Sequence, residues 1–171
     1  MVSKLLLKKF QKIKVVLTDV DGVLTDGGMY YTKNGDVMKR FHVRDGMGVN
    51  LLKRNGIPTI IITKEKNIVT KRWADNMNIK KLYQGILKKQ DILEKICKEY
   101  AIKSNEVAYI GDDINDLELL KCVGLSAAPS DASIEAIKIC DYTCDHNSGN
   151  GAFRELVDLI LFTQKNKHKE D

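Results

Sequence analysis

The chain has 171 residues, enough for one domain with a sizeable core, and 43% hydrophobic against 30% charged residues is the balance of a soluble globular protein. No apolar run approaches the ~20 residues that a membrane-crossing helix needs, so no membrane partner is expected. The formal net charge of +5 comes largely from dispersed lysines and from Lys165-Asn166-Lys167-His168-Lys169, which read as solvated faces and a loose tail over about 165–171, not as a nucleic-acid footprint.

Met1 to Lys14 holds only the short run Leu5-Leu6-Leu7 followed by lysines. That does not read as a signal peptide, and a cytoplasmic protein is expected. The first strand is Val15-Val16-Leu17, aliphatic and β-branched as suits a sheet covered on both faces. It runs into Asp19-Val20-Asp21-Gly22. Open parallel sheets bind ligands just beyond the carboxyl ends of their strands. Two carboxylates two residues apart repel one another and invite a cation, and Mg²⁺ prefers oxygen ligands. A carboxylate can also accept a phosphoryl group as a nucleophile. Taken alone, the pair reads more readily as an acidic turn.

Residues 28–41 read as a hairpin, with Met29-Tyr30-Tyr31 and Val37-Met38-Lys39-Arg40-Phe41 on either side of Lys33-Asn34-Gly35-Asp36. A lone hairpin is marginal in water, so it needs a surface to rest on, either its own domain or a neighbouring subunit. A helix follows over Gly46 to Asn55, stopped by Asn55-Gly56 ahead of Pro58. The second strand, Pro58 to Thr63, ends in a hydroxyl, and a helix over Ile68 to Met77 comes next. A third strand, Leu82 to Gly85, precedes Lys88 and Lys89 at the opening of a helix over Gln90 to Tyr100. The fourth, Val107 to Gly111, ends in Asp112-Asp113, with Asp116 one turn on and a helix to Val123. Short strands at Gly124 to Ala127 and Asp141 to Cys144 flank a helix over Ala132 to Ile139. In the last helix, Ala152 to Thr163, the residues Phe153, Leu156, Val157, Ile160 and Leu161 recur at helical spacing. Strands alternating with helices make this an α/β chain, expected to fold as one domain. Cys97, Cys122, Cys140 and Cys144 form no CxxC pair, and with His146 they match no strong zinc spacing. Thiols are expected.

Four strand ends therefore carry Asp/Asp, Thr, Lys and Asp/Asp. A parallel sheet places all its carboxyl ends on one edge, where these groups could make a phosphate site. The motifs Asp19-Val20-Asp21-Gly22-Val23, Thr63, Lys89 and Gly111-Asp112-Asp113-Ile114-Asn115-Asp116 resemble those of the haloacid dehalogenase superfamily. Leu24-Thr25-Asp26-Gly27-Gly28, Val43-Arg44-Asp45-Gly46, Tyr83-Gln84-Gly85 and Gly151-Ala152-Phe153-Arg154-Glu155 extend the match to its small cap-less sugar-acid phosphatases. The resemblance covers roughly residues 13–160.

It implies a Rossmann-like parallel sheet flanked by helices, a hairpin inserted after the first strand and no cap domain. It implies a phosphatase acting on a phosphorylated 3-deoxy-2-keto sugar acid, either 3-deoxy-D-manno-octulosonate 8-phosphate or a nonulosonate or sialic acid 9-phosphate. Asp19 would be the nucleophile, forming an aspartyl-phosphate, and Asp21 the acid and base. Mg²⁺ would rest on Asp19, the main-chain carbonyl of Asp21, and Asp112. Thr63 and Lys89 would grip phosphoryl oxygens, Lys89 being chosen over Lys88 because it lies four residues after Gly85. Asp113 would orient Lys89, and Asp116 would stand behind these groups or serve only its helix. Val43, Arg44, Asp45, Gly46, Asn50, Lys64 and Glu65 would meet the substrate, with Arg44 on its carboxylate. The resemblance also implies a homotetramer whose hairpins pack together. With no room for a cap, the loop carrying Gly149 and Gly151 would act as a lid on a neighbouring subunit.

Two departures bear on the substrate. Thr63-Lys64-Glu65 stands where the eight-carbon enzymes usually read Thr-Gly-Arg, its glutamate resembling the relatives that act on nine-carbon acids, and Ser148-Gly149 replaces a Gly-Gly pair. Apart from an enzyme, the fold expectation also suits a phospho-accepting receiver-like signalling domain. Such a domain carries its acceptor on a middle strand, which here ends in Thr63, and it lacks a proton donor such as Asp21.

Overall fold

The computed structural model describes residues 3–167. Six parallel strands form one sheet in the order β5-β4-β1-β6-β7-β8. They are β1 (Val15–Thr18), β4 (Thr59–Ile62), β5 (Lys81–Tyr83), β6 (Val107–Ile110), β7 (Leu125–Ala128) and β8 (Tyr142–Thr143). Every residue of β1, β4, β6 and β7 is buried, because helices cover both faces of the sheet. Alternate residues point to opposite sides. Val16, Ile61, Ala108 and Ala127 meet α1 (Lys4–Phe10), α2 (Val43–Arg54), α3 (Ile68–Asn76) and α7 (Ala152–Lys167). Val15, Leu17, Ile60, Ile62 and Tyr109 meet α4 (Leu93–Tyr100), α5 (Leu117–Cys122) and α6 (Ile134–Ile139). The apolar stripe of α7 is buried as its spacing predicts, and each such side chain contributes about 1.5–3 kcal/mol. The helix runs on to Lys167, past the expected stop at Thr163 and into the stretch read as a tail, of which residues 168–171 lie outside the described residues.

From β1 the chain travels through the hairpin and α2 to β4, then outward to β5. It next returns across the sheet to β6, on the other side of β1. β1 is therefore the switch point, and a crevice opens above it between the carboxyl ends of β4 and β6. Between β1 and β4 stand only the hairpin and α2, so there is no cap domain.

The hairpin pairs β2 (Tyr30–Thr32) with β3 (Gly35–Met38). Thr32 lies opposite Gly35, so Lys33 and Asn34 make the turn and Gly35, at φ +106°, begins the return strand. The base of the hairpin is tied down by a bridge between Thr25 and Phe41, whose ring stacks on Trp73 with centroids 4.7 Å apart.

Several helix starts differ from the sequence expectation, among them α4 at Leu93 and α6 at Ile134. α2 begins at Val43, not Gly46, because the His42 ring nitrogen accepts the Arg44 N–H at 3.3 Å and caps it. α1 was not expected; Ser3 caps it by accepting the Leu6 N–H, and Phe10 anchors it in the core. A seven-residue helix with one anchoring ring leaves little periodicity to read.

Candidate active site

The rim is built first by the turn after β1. The Asp19 N–H still donates to the Ile110 carbonyl of β6 at 3.1 Å, so this residue belongs to the sheet. Beyond it the chain winds around the Val20 carbonyl, which accepts the N–H groups of Val23, Leu24 and Thr25. Gly22 sits in this turn at φ +79°, and a Cβ there would fall 1.9 Å from Asp112 Oδ2. Only glycine lets the Asp112 carboxylate, delivered by the end of β6, lie against the β1 turn.

Asp19 is 4% exposed. Its Oδ1 accepts the Val20 N–H at 2.7 Å and its Oδ2 faces Lys89 Nζ at 2.7 Å. Lys89 opens the 3-10 turn Lys89–Ile92 ahead of α4 and is fully buried, whereas Lys88 is exposed. Thr63, one residue past β4, is buried on the same cleft, which Asp19, Asp21, Lys64, Glu65, Asp112 and Asp113 also line. The four strand ends meet at one edge.

Asp116 lies behind them, fully buried. Its Oδ1 accepts from Lys89 Nζ and from the Tyr109 hydroxyl, each at 2.6 Å, and more distantly from the Asn115 amide. Its Oδ2 accepts the N–H groups of Asp112 and Asp113. Asp113 itself is exposed at the cap of the 3-10 turn Ile114–Asp116, so the carboxylate that meets Lys89 is that of Asp116 and not, as expected, that of Asp113.

Burial pushes the Asp19 carboxyl up to about 7, with Lys89 pulling it down and Asp116 pushing it further up. Burial together with the charges of Asp19, Asp116 and Asp113 raises Asp112 to about 8. Burial also opposes the Lys89 charge, but Asp19 and Asp116 outweigh it and hold the ammonium above its usual range. Oxygens of Asp19, Asp112 and Asp116 lie within 4.8 Å of one another. Both oxygens of Asp116 are already occupied, while among the described residues nothing donates to the Asp112 carboxylate. Crowded carboxylates resisting ionisation, one of them without a donor, fit a hard divalent cation held by Asp19 and Asp112.

The second set of expected residues is placed elsewhere. Arg44 lines a separate hollow with His146, Arg154 and Glu155, while Val43, Gly46 and Asn50 line a third with Phe41, Trp73 and Met77. None of them lines the Asp19 cleft of its own chain. Asp45 needs correction. It is fully buried, and its Oδ1 accepts the Arg154 N–H at 2.9 Å, so it caps the start of α7 and faces no substrate. Burial raises its carboxyl, and the main-chain N–H groups of Arg154 and Gly151 restrain that rise. Gly149 and Gly151 are buried too. The Gly149 N–H donates to the Val23 carbonyl at 2.9 Å, and a Cβ there would meet the Asp26 nitrogen at 2.3 Å. This loop packs on its own chain, and its exposed points are Asn147 and Asn150.

Sequence reasoning passed over Lys39. Its side chain is 2% exposed and pairs with Asp21 Oδ1 at 2.5 Å and Glu65 Oε2 at 3.6 Å. The one signal was a cation inside the strand-like run Val37 to Phe41. Its neighbour Arg40 donates to the Gly149 carbonyl and the Asn150 side-chain oxygen, each at 3.1 Å, joining the hairpin to the loop before α7.

A haloacid dehalogenase-like hydrolase family profile matches residues 58–156. The chain is 38% identical over 157 residues to the 3-deoxy-D-manno-octulosonate 8-phosphate phosphatase of Haemophilus influenzae, covering 92% of this chain and 87% of that protein. It is 37% identical over 163 residues to the phosphatase of the same name from Escherichia coli K12, covering 95% and 87%. Among solved structures, the cobalt-bound form of the Haemophilus enzyme superposes with a TM-score of 0.89 at 38% identity, covering 92% of each chain. The Moraxella catarrhalis phosphatase, solved in complex with magnesium ion, phosphate ion and KDO molecule, superposes with a TM-score of 0.90 at 34% identity, covering 96% and 95%. A receiver-like signalling domain is not favoured beside these likenesses.

Proposed function

The chain belongs to the haloacid dehalogenase-like hydrolases and is a phosphoric monoester hydrolase, and from that premise we propose that it dephosphorylates a 3-deoxy-2-keto sugar acid, first of all 3-deoxy-D-manno-octulosonate 8-phosphate, with Mg²⁺ and through an aspartyl-phosphate. The observation that carries this reading is Asp19 Oδ2 facing Lys89 Nζ at 2.7 Å in a cleft that Asp21, Thr63 and Asp112 share.

In the first step an Asp19 oxygen bonds to phosphorus as the bond from phosphorus to the sugar oxygen breaks. The electron pair leaves with that oxygen, which takes a proton from Asp21. In the second step a water attacks phosphorus and gives its proton to Asp21, releasing inorganic phosphate and restoring the Asp19 carboxylate. Thr63 and Lys89 donate to phosphoryl oxygens through both steps. Asp116 keeps Lys89 aimed at this point, through the 2.6 Å contact. Mg²⁺, held by Asp19, Asp112 and the Asp21 carbonyl, would neutralise charge on the phosphoryl group.

Lys64 and Glu65 reach the same cleft and are assigned to the sugar acid. Arg44 and Asn50 would meet a substrate only from a neighbouring copy, which fits a homotetramer. The outward faces of Met29, Tyr30 and Tyr31 on the hairpin and of Val43 on α2 supply apolar surface for such packing. The four cysteines are free thiols, in keeping with a cytoplasmic reaction. No helix among the described residues is long and apolar enough to cross a membrane.

The test is phosphate release with Mg²⁺ over a panel of eight- and nine-carbon sugar-acid phosphates, with Asp19→Asn as control. Turnover of 3-deoxy-D-manno-octulosonate 8-phosphate above the rest is expected. Preference for a nine-carbon phosphate would reassign the chain length, and turnover only of unrelated phosphates would remove the sugar-acid reading.

A further inference from the structure

Lys39 follows β3 directly, beside a β2 strand whose residues are all exposed, yet its own side chain is only 2% exposed. An ammonium taken out of water costs several kcal/mol unless carboxylates meet it. Asp21 Oδ1 does so at 2.5 Å and Glu65 Oε2 at 3.6 Å. The Thr25 hydroxyl reaches the same Asp21 oxygen at 3.3 Å. Among the described residues nothing donates to the other oxygen, Oδ2, and Asp21 lines the open cleft. One oxygen is tied on two sides and the other is left for chemistry.

A group that exchanges a proton with a leaving oxygen must present the right atom within hydrogen-bond reach, and a carboxylate free to rotate does so only part of the time. We propose that Lys39 is a positioning residue for departure of the leaving group: it fixes Asp21 Oδ1 so that Oδ2 faces the bridging oxygen of the phosphate ester. Its second contact, to Glu65 after β4, ties that orientation to the seating of the hairpin over the cleft. The inference rests on Asp21 acting as the proton donor.

Leaving-group dependence tests it, because kcat/KM covers every step through departure of the leaving group and excludes later hydrolysis of the phospho-enzyme. Wild type, Lys39→Met, Lys39→Gln and Lys39→Arg are compared at saturating Mg²⁺ on a series running from simple alkyl phosphates to 4-nitrophenyl phosphate. Alkoxides leave poorly without a proton, whereas nitrophenolate leaves unaided. The two neutral variants are expected to lose about 10- to 100-fold in kcat/KM on alkyl phosphates and about threefold or less on the nitrophenyl ester. Lys39→Arg should keep most of the wild-type slope. Equal losses in kcat/KM at both ends of the series would overturn the proposal. The series contains no sugar acid, so a wild-type chain that hydrolyses it but not the sugar-acid phosphate would remove the substrate assignment while the slope still decides the role of Lys39.

Discussion

Lys89 and Asp116 are 27 residues apart in sequence and 2.6 Å apart in space, and neither side chain is more than 1% exposed. The pair is enclosed with Asp19 on one side and Tyr109 on the other. Removing one member leaves the other charged and sealed from water. Asp116→Ala should therefore cost about 3–5 kcal/mol of stability, the usual result of breaking a buried pair. Asp116→Asn, which keeps the shape, should cost less and still reduce kcat, because Lys89 loses one of its two carboxylates. Urea unfolding read beside steady-state kinetics checks both. A stable, fully active Asp116→Ala chain would show that Lys89 needs no such anchor.

Asp19→Asn separates chemistry from folding. Burial holds the Asp19 carboxyl up to about 7 even against Lys89, so at neutral pH a neutral amide relieves that burial while Lys89 keeps Asp116, and the melting temperature should change little. Turnover should fall by at least about a thousandfold, since a carboxamide is a poor nucleophile. Acid-quenched protein after exposure to substrate should carry phosphate in the wild type and none in Asp19→Asn. Label retained by the variant would place the nucleophile elsewhere.

Stability without metal should fall as pH rises. Unfolded, the carboxyl groups of Asp19 and Asp112 titrate near about 4. Burial holds them at about 7 and about 8 in the folded, metal-free chain. Between these limits the folded state binds more protons than the unfolded one, so ∂ΔG/∂pH is negative. Their contribution is complete below about pH 4 and has gone above about pH 8. Mg²⁺ favours the ionised carboxylates, so the rise in melting temperature on adding it should be larger at about pH 8.5 than at about pH 5.5. Melting curves with EDTA or Mg²⁺ across this range provide the measurement. An Mg²⁺ effect that shrank as pH rose would count against metal binding by these two groups.

Gly22→Ala tests the close approach of the two strand ends. A methyl group would be driven into Asp112 Oδ2, and the positive φ at this position adds about 1–3 kcal/mol of backbone strain. The Mg²⁺ concentration for half-maximal activity should rise by about tenfold or more, since the displaced carboxylate is a metal ligand in this reading. An unchanged Mg²⁺ titration would mean that Asp112 does not bind the ion.

The hairpin and the start of α2 present Tyr30, Met38 and Val43 to solvent, with Val43 83% exposed. If copies pack through this face, Tyr30→Glu combined with Val43→Glu should shift the sedimentation coefficient at micromolar concentration toward that of a monomer. Sugar-acid turnover should fall with it if Arg44 and Asn50, which line hollows apart from the Asp19 cleft, meet the substrate of a neighbouring copy. A double variant that stayed the same size would exclude this face.

Sequence alone determined where the strands end and what each end carries. Val15-Val16-Leu17 and Val107-Ala108-Tyr109-Ile110 are buried strands because their residues suit a covered sheet, and a parallel sheet turns four such ends into one rim. Lys89 is preferred to Lys88 only because the family resemblance places its lysine four residues after Gly85, and the enclosed lysine is Lys89. Which charges face one another was decided only by tertiary structure. Nothing within a turn of Lys89 pointed to Asp116, and nothing near Lys39 pointed to Asp21 or Glu65. Asp45 and Arg44 are adjacent in sequence, yet one is sealed against α7 and the other looks out from the surface, because helix packing and not local pattern sets the direction of each. Local preference and periodicity act over a few residues, whereas the pairing of buried charges depends on how whole elements dock.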